Sequence, residues 1–327
     1  MEVVFKIIVA LLLMVYQTVA AQPEWESGQI LRDTVYSTKV KTCMLTPPES
    51  LIDFPVIAMN SPERLLLQFD DFDFDSRDYM YSISHCNADW SISDLHSSEF
   101  IDGFPENYIH EYEFSFNTKL SYVHYELVIP NSDFRFKKSG NYIITVYDSE
   151  QPDVPMLTKR FMVYDEQLLV GAQVHQATLA KGRHTDHEID VIVNFTNVDY
   201  VNPIQDVHLV IYQGHRWDNA ITNLTPSFVE HKRLVYDFEE ESSFEAGNEY
   251  RFFDSKSVRF YTERVQKIIH DSVDVVLLYP DHPWGNQAYS FYPDIEGYYV
   301  PNIMEKSDAR TEADYVWVNF CLQQNPF

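Results

Sequence analysis

Residues 70–78 carry the residue type that binds calcium in proteins. Aspartates occupy positions 70, 71, 73, 75 and 78, and carboxylates spaced along a loop can present several oxygen ligands to one hard cation. The segment lacks the glycine at the sharp turn and the bidentate glutamate that closes such a loop. A solvated turn between two strands has the same composition. The sequence therefore favours an acidic turn at residues 70–78, with a calcium site as the alternative.

A second candidate for metal binding lies at residues 184–190, where His184 and His187 stand beside three acidic side chains. Transition metals require imidazole and carboxylate ligands that converge on one point. The His-Glu-x-x-His order of metalloproteases is absent, and the segment precedes a predicted strand instead of lying on a helix. We therefore assign no metal ligands, and we expect the protein to work without a cofactor.

Cys86 follows His85, and these residue types form catalytic dyads in thiol enzymes. Neighbouring side chains on a strand point to opposite faces of the sheet, so this pair cannot act together. The sequence contains no Gly-x-Ser-x-Gly elbow, phosphate-binding loop or dinucleotide-binding glycine string. We assign no catalytic residue and expect that the protein is not an enzyme.

The string Gly-His-Arg-Trp-Asp-Asn at residues 214–219 interrupts two predicted strands. Arginine and tryptophan are frequent at binding hot spots, and Trp217 beside an aspartate could stack on a sugar. A tryptophan in a hairpin can also close the end of a β-sandwich. The sequence favours this structural role for Trp217 and leaves the contact surface open.

Alternation of apolar and polar residues dominates from about residue 35 to the end, with proline, glycine and polar turns between the runs. Residues 89–110 alternate little and are predicted to form a long loop with a short helix. Many short strands with frequent turns are typical of antiparallel β-sandwiches. The predicted strands are Leu65–Phe69, Tyr79–His85, Tyr112–Phe116, His124–Ile129, Tyr142–Tyr147, Leu157–Tyr164, Val170–His175, Glu188–Phe195, Val207–Gln213, Arg233–Phe238, Tyr250–Phe253, Val258–Tyr261, Val273–Leu278, Ala288–Tyr292 and Tyr315–Phe320.

The strand pattern pauses at Asp165 and Glu166 and then restarts. We therefore predict an all-β protein with two tandem immunoglobulin-like or fibronectin-like β-sandwich domains, at residues 22–165 and 166–327. Residues 1–21 have the features of a secretory signal peptide: Lys6, an apolar run of ten residues, and small residues before Gln22. No later run of 18 apolar residues occurs, so we expect no transmembrane segment in the mature chain.

The chain is strongly acidic, with 24 Lys and Arg against 50 Asp and Glu and a formal net charge of −26. Such a surface repels phosphate groups, which argues against nucleic acid and anionic membranes as partners. The three cysteines, Cys43, Cys86 and Cys321, leave at least one free thiol. We expect all three to be buried and unbridged, and a Cys43–Cys86 bridge stays open.

An ordered set of strings runs along the chain. The strings are LLLQFDDFDFDSRDYMYSISHCNADW (65–90), EFIDGF (99–104), FSFNTKLSYVHYELVIPN (114–131), SGNYIITVYD (139–148), RWDNAI (216–221), LVYDF (234–238) and FEAGNEYRFF (244–253). The ordered set resembles the plug proteins of the type IX secretion system of Bacteroidetes, over about residues 35 to 325. Residues 213–215 depart from the Gln-Asn that the family pattern leads us to expect. Family members also continue into another β-domain after the strand Tyr315–Phe320, so the resemblance implies that this domain is lacking.

The resemblance implies a non-enzymatic accessory subunit of type IX secretion, periplasmic and peripheral to the outer membrane. Its implied partner is the outer-membrane translocon barrel, whose periplasmic opening it would plug in the idle state. The sequence does not identify the partner-binding residues. The alternative is an exported carbohydrate-binding or adhesion-type β-sandwich module, which sandwich folds also support.

Overall fold

The computed structural model describes residues 29–323, apart from residues 74, 197, 199, 215, 248–249 and 284–293. The predicted signal peptide and the strand predicted at Ala288–Tyr292 lie outside the described residues. Within the described ranges, no helix has the length and hydropathy needed to span a bilayer. Helix is confined there to three single turns, at Ser97–Phe100, Pro203–Asp206 and Ala309–Glu312.

The described residues form short β-strands along the whole chain. They are β1 (Thr34–Val35), β2 (Val40–Thr46), β3 (Val56–Ala58), β4 (Leu65–Asp71), β5 (Tyr79–Cys86), β6 (Ile101–Gly103), β7 (Glu106–Tyr108), β8 (Glu111–Phe114), β9 (Val123–Ile129), β10 (Phe134–Phe136), β11 (Gly140–Asp148), β12 (Pro155–Tyr164), β13 (Leu169–Gln176), β14 (Asp186–Asn194), β15 (Leu209–Ile211), β16 (Ile221–Leu224), β17 (Phe228–Glu230), β18 (Arg233–Tyr236), β19 (Ser243–Glu245), β20 (Val265–Ile269), β21 (Asp274–Leu278) and β22 (Val316–Asn319).

The first β-sandwich packs two sheets face to face. One has the strand order β1-β12-β11-β5-β7, with β3 parallel to β12, and the other has the order β2-β4-β9-β8. Alternate residues of each strand point inward and bury aromatic rings in the core. Phe69 stacks on Tyr125 with ring centroids 5.1 Å apart, and Tyr79 meets both rings edge-on. The predicted all-β sandwich is confirmed.

The second part of the chain has two further cores. The sheet β13-β14-β18-β17, with β19 beside β14, encloses one core together with the β15-β16 hairpin. Its centre is formed by alternate residues of β14, Ile189, Val191 and Val193, packed against Leu234 and Tyr236 of β18. The sheet β20-β21-β22 forms a separate core, and β22 runs parallel to β21. The domain boundary near residue 165 stays a prediction.

Two predicted strands are wrong. Tyr250–Phe253 and Val258–Tyr261 have no strand pairing. The buried Ser257 hydroxyl accepts the backbone N–H groups of Arg259 and Phe260, at 3.1 and 3.0 Å. A side-chain oxygen that takes these donors offers the backbone an alternative to a sheet ladder. Alternation alone therefore overstates strand content in this segment.

The helix expected within residues 89–110 is confirmed at Ser97–Phe100, and His96 caps it. The rest of that segment is not all loop, because β6 and β7 lie in it. β6 pairs with β10, and β7 extends the first sheet beside β5. Strands of three residues are too short to show a clear alternation, which is why the sequence did not indicate them.

Candidate functional site

Polar side chains lie on the outer face of the β2-β4-β9-β8 sheet, and several of them are buried. Asp70 pairs with His124 across β4 and β9, and Gln68 pairs with Glu126. Residues two apart on a strand share a face, so these four side chains form one patch. Asp70 and His124 are 4% and 3% exposed. A face of a two-layer sandwich that buries polar groups must be covered by another part of the chain.

The cover is the segment from Lys306 to Tyr315, which returns from the far end of the chain. The Tyr122 hydroxyl donates to the carbonyl of Ala313 at 3.0 Å. The Phe116 N–H donates to the carbonyl of Thr311 at 2.8 Å. The Tyr315 ring packs edge-on against Tyr122, with centroids 5.4 Å apart. Backbone and aromatic contacts together fix the segment on the sheet.

A line of charged and polar groups joins the sheet to this segment. We call it the seam, and its members are Asp70, His124, Glu126, Asp308, Arg310 and Tyr315. His124 Nδ1 lies 2.6 Å from an Asp70 oxygen, and Nε2 lies 3.3 Å from Glu126. Arg310 donates to Glu126 at 2.9 Å and to Asp308 at 3.0 Å. Each acidic group of the seam therefore faces a basic one.

Tyr315 closes the other end of the seam. Its hydroxyl donates to the second oxygen of Asp70. The same hydroxyl bonds to Thr42 on β2. Since the single hydroxyl hydrogen goes to the carboxylate, which only accepts, Thr42 is the donor in the second bond. A residue near the far end of the chain thus completes the surroundings of an aspartate on β4.

His124 is positively charged in this arrangement. Both ring nitrogens face carboxylate oxygens, which accept only, so both nitrogens carry hydrogen. Burial by itself lowers the pKa of His124, but the hydrogen bond to Asp70 and the charges of Asp70 and Glu126 raise it above the ordinary value of 6.5. An imidazolium held on both sides cannot take a proton from a substrate, so His124 is not placed to act as a general base.

A cavity of about 530 Å³ lies beside the seam. The first sandwich contributes Asp70, Tyr122 and His124, and the second part contributes residues 250–256 and 297–302. Aromatic rings and both signs of charge line the cavity. Such a lining suits a polar chain segment or an amphipathic small molecule.

Three aspartates of residues 70–78, at positions 70, 71 and 73, have hydrogen-bonding partners within the protein. Asp71 accepts a hydrogen bond from the Tyr79 hydroxyl at 2.7 Å, on the face opposite to Asp70. Asp73 pairs with Lys39 and Arg77, whose hydrogen bonds lower the pKa of its carboxyl group. In the described part of the chain, these carboxylates do not converge on one point. The segment is a turn held by basic side chains.

Trp217 occupies a joint between the two parts of the chain. Its ring meets Trp90 of the first sandwich edge-on at 5.0 Å and stacks on Tyr212 at 5.0 Å. Arg160 lies over the other ring, with its guanidinium carbon 4.5 Å from the Trp90 centroid. These contacts support the structural role of Trp217, because rings that cover each other leave little face for a sugar.

His85 and Cys86 point to opposite faces of β5, as expected. His85 packs on Tyr142 of the main core, whereas Cys86 packs on Trp90 and Leu31 in a separate cluster. All three cysteines are free. The expectation that all are buried is wrong for Cys321, which is exposed, and Cys43 is half-buried. Burial raises the pKa of Cys43 to about 11 and that of Cys86 to about 12, so both stay protonated thiols.

Comparison with known proteins gives the family. Residues 40–165 match the model of the type 9 secretion system plug protein 1st domain. The chain belongs to the type IX secretion system plug protein family. Of the seam of this plug-family chain, Asp70, His124 and Glu126 lie inside the matched residues, and the remaining members lie outside them.

A solved structure supports the fold over most of the chain. It is a hypothetical protein from Parabacteroides merdae, 30% identical in sequence, with a TM-score of 0.87. The match covers 91% of the plug-family chain and 76% of that protein. An alkylpurine DNA glycosylase from Pseudomonas fluorescens matches at 9% identity over 38% of this chain and 30% of its own length. Its TM-score of 0.21 is too low to indicate a shared fold. No protein with a curated description matches.

Membership links the plug-family chain to type IX protein secretion. The sequence indicated the family through strings that lie mostly in strands, but it did not indicate the seam. Asp70 appeared as the first residue of an acidic turn, whereas it is one of the last residues of β4. One sequence signal was available. Two strands with a buried pattern also carry polar residues two positions apart, which are Gln68 and Asp70 on β4 and His124 and Glu126 on β9.

Proposed function

We propose that the chain is a non-enzymatic, periplasmic accessory subunit that binds the outer-membrane translocon barrel of type IX secretion and closes its periplasmic opening in the idle state. The match of residues 40–165 to the first domain of the plug proteins carries this proposal. The physical features of the described residues are compatible with it in two respects, rigidity and charge.

A closing element has to keep its shape against an open channel. Two contacts far apart in the sequence brace this chain, the seam at Tyr315 and the joint at Trp217. Lys119 adds a third contact, because its amine donates to Asp274 of β21 at 2.6 Å. Three separate attachments between the first sandwich and the rest resist bending better than one linker would.

The net charge of −26 provides a means of docking. An acidic surface that meets a basic rim speeds encounter, and the gain falls as salt screens the charges. Release is also easier from a polar contact of moderate area than from a large apolar one. The proposal therefore includes fast, salt-sensitive docking.

The direct test is a pull-down of the tagged full chain from detergent-solubilised outer membranes, with mass spectrometry of the bound proteins. Recovery of a very large outer-membrane barrel supports the proposal. The same pull-down at low and physiological ionic strength tests the docking mechanism. Recovery of the barrel that does not change with salt would reject electrostatic steering while keeping the partner.

The closing role needs its own measurement. Cells of the native organism that lack the protein should become permeable to antibiotics too large for ordinary porins, and the wild-type gene should restore the barrier. A variant with Arg310→Ala and Tyr315→Ala, which releases the seam, should restore it less well. Unchanged permeability in the deletion strain would contradict plugging, and failure to recover any barrel would contradict the partner.

A further inference from the structure

A group of side chains on the second sheet has no role in the seam or in the joint. His175 on β13 pairs with Glu188 on β14, and Asp190 lies two residues further along β14 on the same face. His175 Nε2 is 3.0 Å from Asp190 Oδ2 and 3.6 Å from Glu188 Oε1. These three atoms lie within 4.8 Å of one another, and no other such group occurs among the described residues.

The two separations from His175 Nε2 match those of ligands that share one metal ion. Zinc binds nitrogen and carboxylate oxygen at about 2.0–2.1 Å in tetrahedral geometry, which puts two ligand atoms about 3.3 Å apart. The distances of 3.0 and 3.6 Å bracket that value. One imidazole and two carboxylates are hard to borderline ligands, which divalent zinc-class ions accept.

Hydrogen bonds around the group hold the ligand atoms in place. His175 Nδ1 lies 3.0 Å from the carbonyl of Gln176, so Nδ1 carries a hydrogen and Nε2 faces the carboxylates. Glu188 accepts the Thr178 N–H at 2.7 Å and its hydroxyl at 3.2 Å. Metal-binding histidines and carboxylates are oriented by outer partners of this kind.

The group also lacks cationic partners. Glu188 is 2% exposed, yet no Lys or Arg nitrogen lies within ion-pair distance of Glu188 or Asp190 in the described part of the chain. Asp190 Oδ1 is buried and accepts no hydrogen bond from the described residues. Two carboxylates that share one imidazole keep a net negative charge even when the imidazole is protonated. A divalent cation would neutralise it.

We propose that His175, Glu188 and Asp190 bind one divalent metal ion of the zinc class. The side chains of His175 and Asp190 are 31% and 35% exposed, so the ion can enter from solvent and keep water as a fourth ligand. The site would tie β13 to β14. This matters because β13 is an edge strand that pairs only with β14 in the described sheet and is exposed along most of its length.

His184 and His187, the histidines considered from the sequence, are not members of this group. His184 and His187 are near the two carboxylates in the sequence, but His187 pairs with Gln176 on the opposite face of the sheet. The imidazole of the group is His175, which lies on the preceding strand β13. Only the β13–β14 register brings it opposite Glu188. His187→Ala is therefore a matched control, because it removes an imidazole next to Glu188 without touching the proposed ligands.

The test is calorimetric titration of the metal-stripped full chain with zinc chloride in a non-chelating buffer at pH 7.5. Wild type and His187→Ala should bind one more equivalent than His175→Ala. Loss of an outer-shell partner alone weakens metal binding by about 10–100-fold, so loss of a ligand should weaken it by about 100-fold or more. Asp190→Asn keeps the side-chain shape and should lose the same equivalent. It therefore tests the site independently in case His175→Ala misfolds.

Amide hydrogen exchange locates the bound ion. Zinc should slow exchange in β13 of wild type and of His187→Ala, and leave it unchanged in His175→Ala and Asp190→Asn. Magnesium at the same concentration should have little effect, because it avoids imidazole. Equal zinc stoichiometry in all four proteins, or loss of the extra equivalent in His187→Ala, would overturn the proposal and leave His175 as a protonated partner of two acids.

Discussion

Removing one hydroxyl from the seam should measurably loosen the whole chain. Tyr315→Phe keeps the ring contacts with Phe72, at 4.8 Å, and with Tyr122, but deletes the donor to Asp70. A hydrogen bond to a charged group contributes about 1.5–3 kcal/mol, so we expect the free energy of unfolding to fall by about 2 kcal/mol. With about 2.1 cal/mol/K of unfolding entropy per residue over roughly 300 residues, the melting temperature should fall by about 3 °C.

The assay is urea unfolding followed by tryptophan fluorescence, together with a thermal scan. Tyr279→Phe is the matched control, since Tyr279 is 54% exposed and its change should cost less than about 0.5 kcal/mol. A second comparison uses Thr42→Val, because Thr42 donates to the same hydroxyl. Thr42→Val should be less costly in the Tyr315→Phe background than in wild type, by about 1 kcal/mol.

Two results would refute this reasoning. If Tyr315→Phe and Tyr279→Phe had equal effects, the seam hydroxyl would contribute no stability. If Thr42→Val and Tyr315→Phe were strictly additive, the two hydroxyls would not be bonded to each other in solution.

Three further predictions concern other positions. The pKa of His124 is raised above 6.5, so the stability that its charge contributes is complete below pH 6.5 and is lost as the pH rises through the folded-state pKa. His124→Gln should flatten this loss in urea unfolding measured from pH 5 to pH 9. Parallel curves for the two proteins would contradict this expectation. Trp217→Ala should lower the free energy of unfolding by about 2–3 kcal/mol in the same assay, because its half-buried ring packs on two others. Trp317→Ala, at a 68% exposed position, should lower it by less than about 0.5 kcal/mol. Equal losses would argue against the joint. Gly103 has φ +113°, and an added Cβ would overlap a backbone carbonyl, so Gly103→Ala should destabilise the protein by about 2 kcal/mol or more. Gly171 has open space around it, so Gly171→Ala should leave the melting temperature unchanged or raise it slightly in a thermal scan.

The sequence predicts the long strands of the first sandwich well. β4, β5, β9, β11 and β12 span seven or more residues, and their inward positions are mostly aromatic or branched. Such patterns fit one face of a sheet and few other structures. The short strands were less predictable, because three residues do not establish a period.

The candidate site was not predictable from spacing. His124 and Asp70 are 54 residues apart, and Tyr315 is 245 residues from Asp70. Local patterns do not state which distant segment covers a sheet face. The same limit applied to His175, whose partners are set by the register of a hairpin. The strand prediction at Val258–Tyr261 failed for a different reason, since the hydrogen bonds that Arg259 and Phe260 donate to the Ser257 side chain lie outside any pattern of hydrophobicity.

The contact between Tyr315 and Asp70 also sets an order of events during folding. A chain that emerges from its amino end presents β4 and β9 long before residues 306–315 exist beside them. Until that segment docks, Asp70 and His124, which are buried in the complete protein, are exposed to water on one face of the first sandwich. Loop closure over 245 residues is slow compared with hairpin formation, so we expect the contact between Tyr315 and Asp70 to form after the hairpins of the first sandwich. A first sandwich produced alone would keep this face in contact with water.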